Sequence, residues 1–280
     1  MRRRSGAAFL GPEGTFSHEA AVVWAKKIGV IWGQGELKGV EDLSQVVALV
    51  KRGEVGAGVV PVENSIEGSV HLTLDLLWEE EVQVVGEVIL PIHHCLLSLS
   101  PEREIMAIAS HPHALAQCRR FLEARFPGIR RIALSSTAEA ARVASCNPHW
   151  GAIASSFAAR IYQVPVLYRN IEDYPENKTR FFILGYETPP LPGPYKTSLV
   201  VSPLANRPGS LYEILKEFAQ AGIDLTRIES RPTKKELGEY LFYIDCVGAA
   251  GEEPLKSVLA RLKEKTRLFK VLGSYAQDRG

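Results

Sequence analysis

The chain has 280 residues, 46% hydrophobic and 23% charged, with a formal net charge of +1. That is enough apolar material for two domains with real cores, and the near-neutral balance excludes the bulk basic surface that nucleic acid requires. No apolar run reaches the length of a membrane span.

Arg2, Arg3 and Arg4 make a short basic start. They are followed by Gly11-Pro12-Glu13-Gly14 rather than a continuous apolar stretch, which is not a signal-peptide pattern. Cys95, Cys118, Cys146 and Cys246 are widely spaced, without a C-x-x-C pair, and read as reduced core thiols of a cytoplasmic protein. His93-His94 and His111-x-His113 lack further ligands at metal-site spacing. With no G-x-G-x-x-G opening a helix and no Walker loop, neither a metal nor a cofactor is expected.

Ala7–Leu10 reads as a strand running into Gly11-Pro12-Glu13-Gly14-Thr15-Phe16-Ser17 and then a helix to about Ile28. The same outline returns at Val55–Val60, with the turn Pro61–Ser69 and a helix from Val70 to about Trp78. It returns again at Ile105–Ala109 with Ser110-His111-Pro112, at Ile132–Leu134 with Ser135-Ser136-Thr137, and at Gly151–Ala154 with Ser155-Ser156. Strand, hydroxyl-bearing turn, helix is the pattern of an α/β domain with a largely parallel sheet. Its turns emerge at the carboxyl ends of the strands, where ligands bind. One such Ser or Thr is ordinarily an N-cap; five turns together point to a shared anionic ligand held at helix N-termini.

Val82–Leu99 and Leu167–Leu184 are predicted to carry the chain between two lobes, residues 1–88 with 168–188 and residues 89–167. The stretch Asn177-Lys178-Thr179-Arg180-Phe181 would then lie at the mouth of the cleft. A strand entered by Thr179 and Arg180 offers a hydroxyl and a planar guanidinium to a bound anion; the bland alternative is an arginine supporting a loop.

Residues 189–195, within Glu187-Thr188-Pro189-Pro190-Leu191-Pro192-Gly193-Pro194, read as a stiff linker. Residues 196–280 follow the order βαββαβ of a ferredoxin-like motif. In its strand Tyr240–Val247, Leu241, Tyr243 and Asp245 are expected to face outward.

In order along the chain, Gly11-Pro12-x-Gly14-Thr15-Phe16-Ser17, Pro61-Val62-Glu63-Asn64-Ser65-x-x-Gly68, Ser110-His111-Pro112, Ser136-Thr137-x-x-Ala140-Ala141 and Asn177-x-Thr179-Arg180-Phe181 resemble the signature elements of prephenate dehydratase. The tail resembles an ACT domain, with Glu229-Ser230-Arg231-Pro232 matching a phenylalanine-binding motif. Asn206-Arg207-Pro208-Gly209-Ser210-Leu211 matches the other effector motif, with Ser210 where the family usually has Ala.

The resemblance implies a two-lobed, periplasmic-binding-protein-like catalytic domain over residues 1–188 and an ACT regulatory domain. It implies cofactor-free conversion of prephenate to phenylpyruvate in phenylalanine biosynthesis, with L-phenylalanine as feedback effector. The catalytic residues would be Thr179, Arg180 and Phe181, and the substrate-binding residues Thr15, Ser17, Asn64, Ser65, Ser110, Thr137 and Asn177. Pro208, Gly209, Ser210, Leu211, Glu229, Ser230, Arg231 and Pro232 would bind the effector, and the ACT domains would pair in a homodimer or homotetramer. Arg180 is expected to clamp the pyruvyl carboxylate, and Glu229 and Ser230 to meet the effector's ammonium. Arogenate dehydratase, a two-lobed solute-binding protein and a non-catalytic amino-acid sensor are the alternatives.

Overall fold

The computed structural model describes residues 6–33, 35–187, 190–234 and 239–278. The basic start at Arg2–Arg4, the Thr188/Pro189 boundary and the last two residues of the chain lie outside these. The first part contains β1 (Ala7–Leu10), α1 (Phe16–Lys27), β2 (Leu37–Val40), α2 (Leu43–Arg52), β3 (Ala57–Asn64), β4 (Gly68–Ser69), α3 (His71–Glu79) and β5 (Gln83–Pro91). There follow β6 (Cys95–Ser98), β7 (Ala107–Ser110), α4 (Pro112–Gln117), α5 (Arg119–Arg125), β8 (Arg130–Ala133), α6 (Thr137–Ser145), β9 (Trp150–Ala154), α7 (Ser156–Tyr162) and β10 (Val166–Tyr168). The chain ends with β11 (Lys178–Gly185), β12 (Tyr195–Pro203), α8 (Ser210–Gln220), β13 (Leu225–Pro232), β14 (Tyr240–Val247), α9 (Leu255–Lys265) and β15 (Thr266–Ala276).

Among the described residues these strands form three sheets. The first lobe has the order β2-β1-β3-β11-β5 with β4 beside β3, and the second has β10-β6-β9-β7-β8. Within each lobe the strand–helix units pair in parallel, β1 with β2 and β3, and β7 with β8 and β9. The crossing strands run against them, β11 antiparallel to β3 and β5, and β6 antiparallel to β9 and β10. The sheets are therefore mixed rather than largely parallel, because a chain that leaves a lobe and returns supplies strands without crossover helices.

Local chemistry starts the helices as the sequence suggests. Thr15, Ser136 and Ser155 accept N–H bonds from His18, Glu139 and Ala158 in the first turns of α1, α6 and α7. β2 and α2 occupy a stretch for which the sequence reading proposed no element. Asp42 caps α2, and Gly53 ends it at φ +61°, where a residue without Cβ is unstrained.

The third sheet, β13-β14-β12-β15, has the expected ferredoxin-like connectivity. One face packs on α8 and α9 through Leu199, Val201, Ile214, Phe218, Ile244 and Leu259. The other face is not solvent-facing. Val200, Leu241, Tyr243, Leu272 and Tyr275 share one apolar cluster with Leu74, Leu77 and Val84 of the first lobe. The outward placement expected for Leu241, Tyr243 and Asp245 is thus corrected: all three are buried. Alternation separates a strand's faces without telling which is covered. Contact is so close at Gly273 that a Cβ there would lie 1.9 Å from the Val84 carbonyl oxygen.

Candidate active site

Between the two lobes lies a cleft of about 980 Å³. The first lobe contributes Thr15, Phe16 and Ser17 from the start of α1, Gly39–Glu41 at the end of β2, Pro61, Asn64 and Glu67 around β3, and Asn177, Thr179 and Phe181 around the start of β11. The second contributes His111, His113, Ala114 and Gln117 around α4, and Ser135–Thr137 and Glu139 at α6. The lobes touch on both sides of the opening. Gln117 Nε2 donates to Glu67 Oε1 (3.2 Å), with His113 3.5 Å from the same carboxylate, and the Tyr162 hydroxyl donates to the Glu13 carbonyl (2.7 Å).

Thr179 is held by Asn64 Nδ2, which donates to its Oγ1 at 2.8 Å and to Asn177 Oδ1 at 2.8 Å. Ser65 does not line the cleft. Its hydroxyl donates to Asn177 Oδ1 and accepts the Lys178 N–H, fixing the start of β11. Ser110 is fully buried and donates to the Ile153 carbonyl, away from the cleft. Thr15 lines the cleft with its hydroxyl already engaged, donating to Leu10 and accepting from His18. Of the residues expected to bind substrate, Thr15, Ser17, Asn64, Thr137 and Asn177 line the cleft, and Ser65 and Ser110 stand behind it.

Arg180 is a correction. Side chains alternate along a strand, so while Thr179 and Phe181 face the cleft, Arg180 turns to the opposite side of β11. There its Nε meets Glu87 (2.7 Å), and its terminal nitrogens meet Asp245 (2.5 Å) and the Tyr275 hydroxyl (2.9 Å). Lys196 joins Glu87 at 3.2 Å, and Ser198 donates to Asp245. Burial works against the Arg180 charge, but Asp245, Tyr275 and Glu87 outweigh it and hold the guanidinium's pKa above its ordinary value. Burial likewise opposes ionisation of Asp245, yet Arg180 and Arg227 keep its carboxyl below the usual carboxylate range. Arg180 ties the third sheet to the first and has no reach into the cleft.

Among the described residues lining the cleft there is neither lysine nor arginine. Beside the cleft lie the first turns of α1 and α6, whose caps take the N–H groups of His18 and Glu139, and Glu41, Glu67 and Glu139 share the same wall. A helix N-terminus is a setting that favours an anion. Three cleft residues, Gln117, Glu67 and His94, carry no expected role at the substrate site in the sequence. Gln117 accepts from Asn177 Nδ2 (3.3 Å) and bonds His94 Nε2 (3.3 Å); Glu67 is its partner across the opening. His94 is buried, which lowers its pKa, and its Nδ1 has no hydrogen-bond partner among the described residues. A lone Gln on a short helix carries no sequence signal; Glu67, inside the Pro61–Gly68 motif, could have been found.

On the third sheet a second cavity, of about 530 Å³, is lined by Gly209, Ser210 and Leu211 with Asn206, Tyr240 and Phe242. Gly209 has φ +88°, which Gly adopts without strain. The Ser210 hydroxyl donates to the Ala205 and Arg207 carbonyls and so holds the loop. Pro208 is exposed beside this cavity without lining it. The neighbouring edge strand β13 divides its residues. Ser230 and Pro232 pair with Phe242 and Tyr240 on the cavity's side. Glu229 and Arg231 point into the seam between domains, where Glu229 accepts from Ser69 (3.0 Å) and Arg231 pairs with Asp75 (3.0 Å). The ammonium contact expected of Glu229 is therefore not available in this arrangement.

The sequence profile of the Prephenate dehydratase family matches residues 7–189, and that of the ACT domain matches residues 200–264. The chain is 43% identical over 271 residues to a bifunctional chorismate mutase/prephenate dehydratase of Stutzerimonas stutzeri, covering 96% of this chain and 72% of that protein. It is 41% identical to a prephenate dehydratase of Methanocaldococcus jannaschii, covering 94% and 95%. The crystal structure of prephenate dehydratase from Arthrobacter aurescens in complex with L-Phe superposes with a TM-score of 0.86 at 33% identity, covering 97% of this chain and 90% of that one.

Proposed function

The chain belongs to the prephenate dehydratase family and carries an ACT domain, and on that premise we propose that it converts prephenate to phenylpyruvate as a carbon–oxygen lyase of the cytoplasm, under feedback control by L-phenylalanine. The observation that carries the chemistry is the Thr179 hydroxyl in a cleft flanked by two helix N-termini.

Prephenate is a dianion with a ring hydroxyl. Its ring carboxylate leaves as carbon dioxide, the C4–O bond breaks, and one proton is taken up to give water and phenylpyruvate. Aromatisation drives the step. Thr179 donates a hydrogen bond to the oxygen that departs, help of a kind worth about 10²–10⁴ in rate. The carboxylates rest on the spare N–H groups of α1 and α6 and on Ser17 and Thr137. A cleft with neither lysine nor arginine among its described lining residues suits this reaction. A guanidinium on the ring carboxylate would stabilise charge that must disperse in the transition state, lowering the ground state more than the transition state and so raising the barrier.

Phenylalanine is placed in the cavity beside Gly209, its carboxylate toward the start of α8 and its ring toward Tyr240, Phe242 and a second copy of the ACT domain. The test is phenylpyruvate formation from prephenate, with arogenate in parallel, titrated with L-phenylalanine. Turnover of prephenate that phenylalanine suppresses is the expected result. Turnover of arogenate alone would assign the enzyme to the amino-acid analogue, and binding without turnover would make it a sensor.

A further inference from the structure

Asn64 is the cross-strand partner of Thr179 in the β3–β11 ladder. Its side-chain oxygen accepts the backbone N–H groups of Ile66 (2.9 Å) and Glu67 (3.0 Å). A backbone N–H can only donate, so these two bonds fix which end of the amide is oxygen, a choice otherwise inferred from the network as a whole. The nitrogen end must then face Thr179 and Asn177. Its two hydrogens go to these nearer acceptors, at 2.8 Å each, ahead of the Lys178 carbonyl at 3.3 Å. Thr179 Oγ1 is consequently an acceptor toward Asn64, and its own hydrogen is left for a group in the cleft. The polarity continues outward: Asn177 donates to Gln117, and Gln117 donates to Glu67, which closes the chain on the same hairpin.

We propose that Asn64 is a positioning residue that sets the polarity of the Thr179 hydroxyl, so that Thr179 reaches the substrate as a donor. This rests on the reading of Thr179 as the donor to the departing oxygen. An acceptor in place of the Asn64 nitrogen would capture the Thr179 proton and turn the hydroxyl away from the substrate.

Asn64→Asp makes that change at nearly constant shape. Its carboxylate still accepts from Ile66 and Glu67, but toward Thr179 it can only accept. It also places a negative charge near a dianion, so the decisive measurement is a double-mutant cycle on kcat with Thr179→Ala. Asn64→Ala serves as the neutral second variant, and competitive inhibition by phenylpyruvate verifies that each variant retains a folded cleft. Thr179→Ala is expected to lower kcat by about 10²–10⁴. Asn64→Asp should lower it to a similar degree, and Asn64→Ala less.

Neither Asn64 change should lower kcat further once Thr179 is Ala, because Asn64 then has no hydroxyl left to orient. Losses that multiply in the double variants would overturn the proposal while leaving Thr179 its role, since Asn64 would be acting on the substrate or the hairpin directly. An unchanged kcat in both Asn64 variants would also overturn it. An unchanged kcat in Thr179→Ala would overturn the reading of Thr179 itself.

Discussion

Thr179 and Arg180 are adjacent on one strand and face two different environments. The cleft side holds hydroxyls and amides aligned by one another, with neither lysine nor arginine among the described lining residues. The seam side holds Arg180, Lys196, Glu87 and Asp245 buried together, with the guanidinium's donors committed to three partners. A site that must bind and release a dianion needs unfilled hydrogen-bonding capacity. A seam that must stay closed needs its capacity filled, because an unpaired buried charge is costly. The strand's two-residue period keeps these demands apart.

Substitutions on the two faces should therefore fail differently. Thr179→Ala is expected to show the largest effect, the loss in kcat given above, with melting behaviour close to wild type; Thr179→Ser should keep much of the rate. A Thr179→Ala enzyme that keeps its kcat and loses only affinity would merge the two faces into one binding role. Arg180→Met should do the reverse. Removing one partner of a buried ionic network costs about 3–5 kcal/mol, read as a lower urea midpoint, and any activity loss should track the unfolded fraction. A stable Arg180→Met protein that had lost phenylpyruvate binding would return Arg180 to the cleft.

Tyr243→Phe probes the seam more gently. The hydroxyl donates to the Leu74 carbonyl across the domain boundary at 2.8 Å, and its loss should cost about 1 kcal/mol in denaturant unfolding, leaving prephenate turnover unchanged.

The smallest effect is a pH slope. His18 stacks on Phe9 and accepts the Gly14 N–H through Nδ1 (3.0 Å), and His94 is buried beside Phe16. Burial lowers both pKa values. The folded chain then binds fewer protons than the unfolded chain, so stability is full above the unfolded imidazole value of about 6.5 and declines as pH falls through it. Melting temperatures recorded over that interval should fall with pH, and His94→Gln should flatten the decline. A rise on acidification would mean that the imidazoles are held charged.

Much of this was legible in the sequence. The ordered motifs carried the two-lobed fold and the place of Thr179 on the cleft wall, and the βαββαβ order carried the third sheet. What was not legible is long-range pairing. Arg180 reads as a ligand of the substrate and Asp245 as outward-facing when each is taken on its own strand, because the partners that bury them with Glu87 and Lys196 lie 65 to 109 residues away. Glu229 and Arg231 were assigned to the effector with the rest of their motif, although alternation along β13 sends them to the opposite face. Ser110 looks like a ligand hydroxyl, yet it is buried at the end of β7 and a carbonyl claims it. α2 is a different kind of omission, since Asp42 and Gly53 were there to be read.

The seam also bears on how such a chain could be taken apart. Lys270, on the last strand, donates to the carbonyls of Leu77, Trp78 and Glu80 and so finishes α3, a helix of the catalytic half. With Gly273 pressed on Val84, the C-terminal sheet is part of what completes the first lobe. Cutting near Pro194 would thus uncover Leu74, Leu77 and Val84 and strand Glu87 with Arg180. Homologous regulatory tails should be interchangeable only when residues such as 84, 87, 180, 245, 270 and 273 travel as a set, so the heritable unit is the matched pair of surfaces rather than the tail.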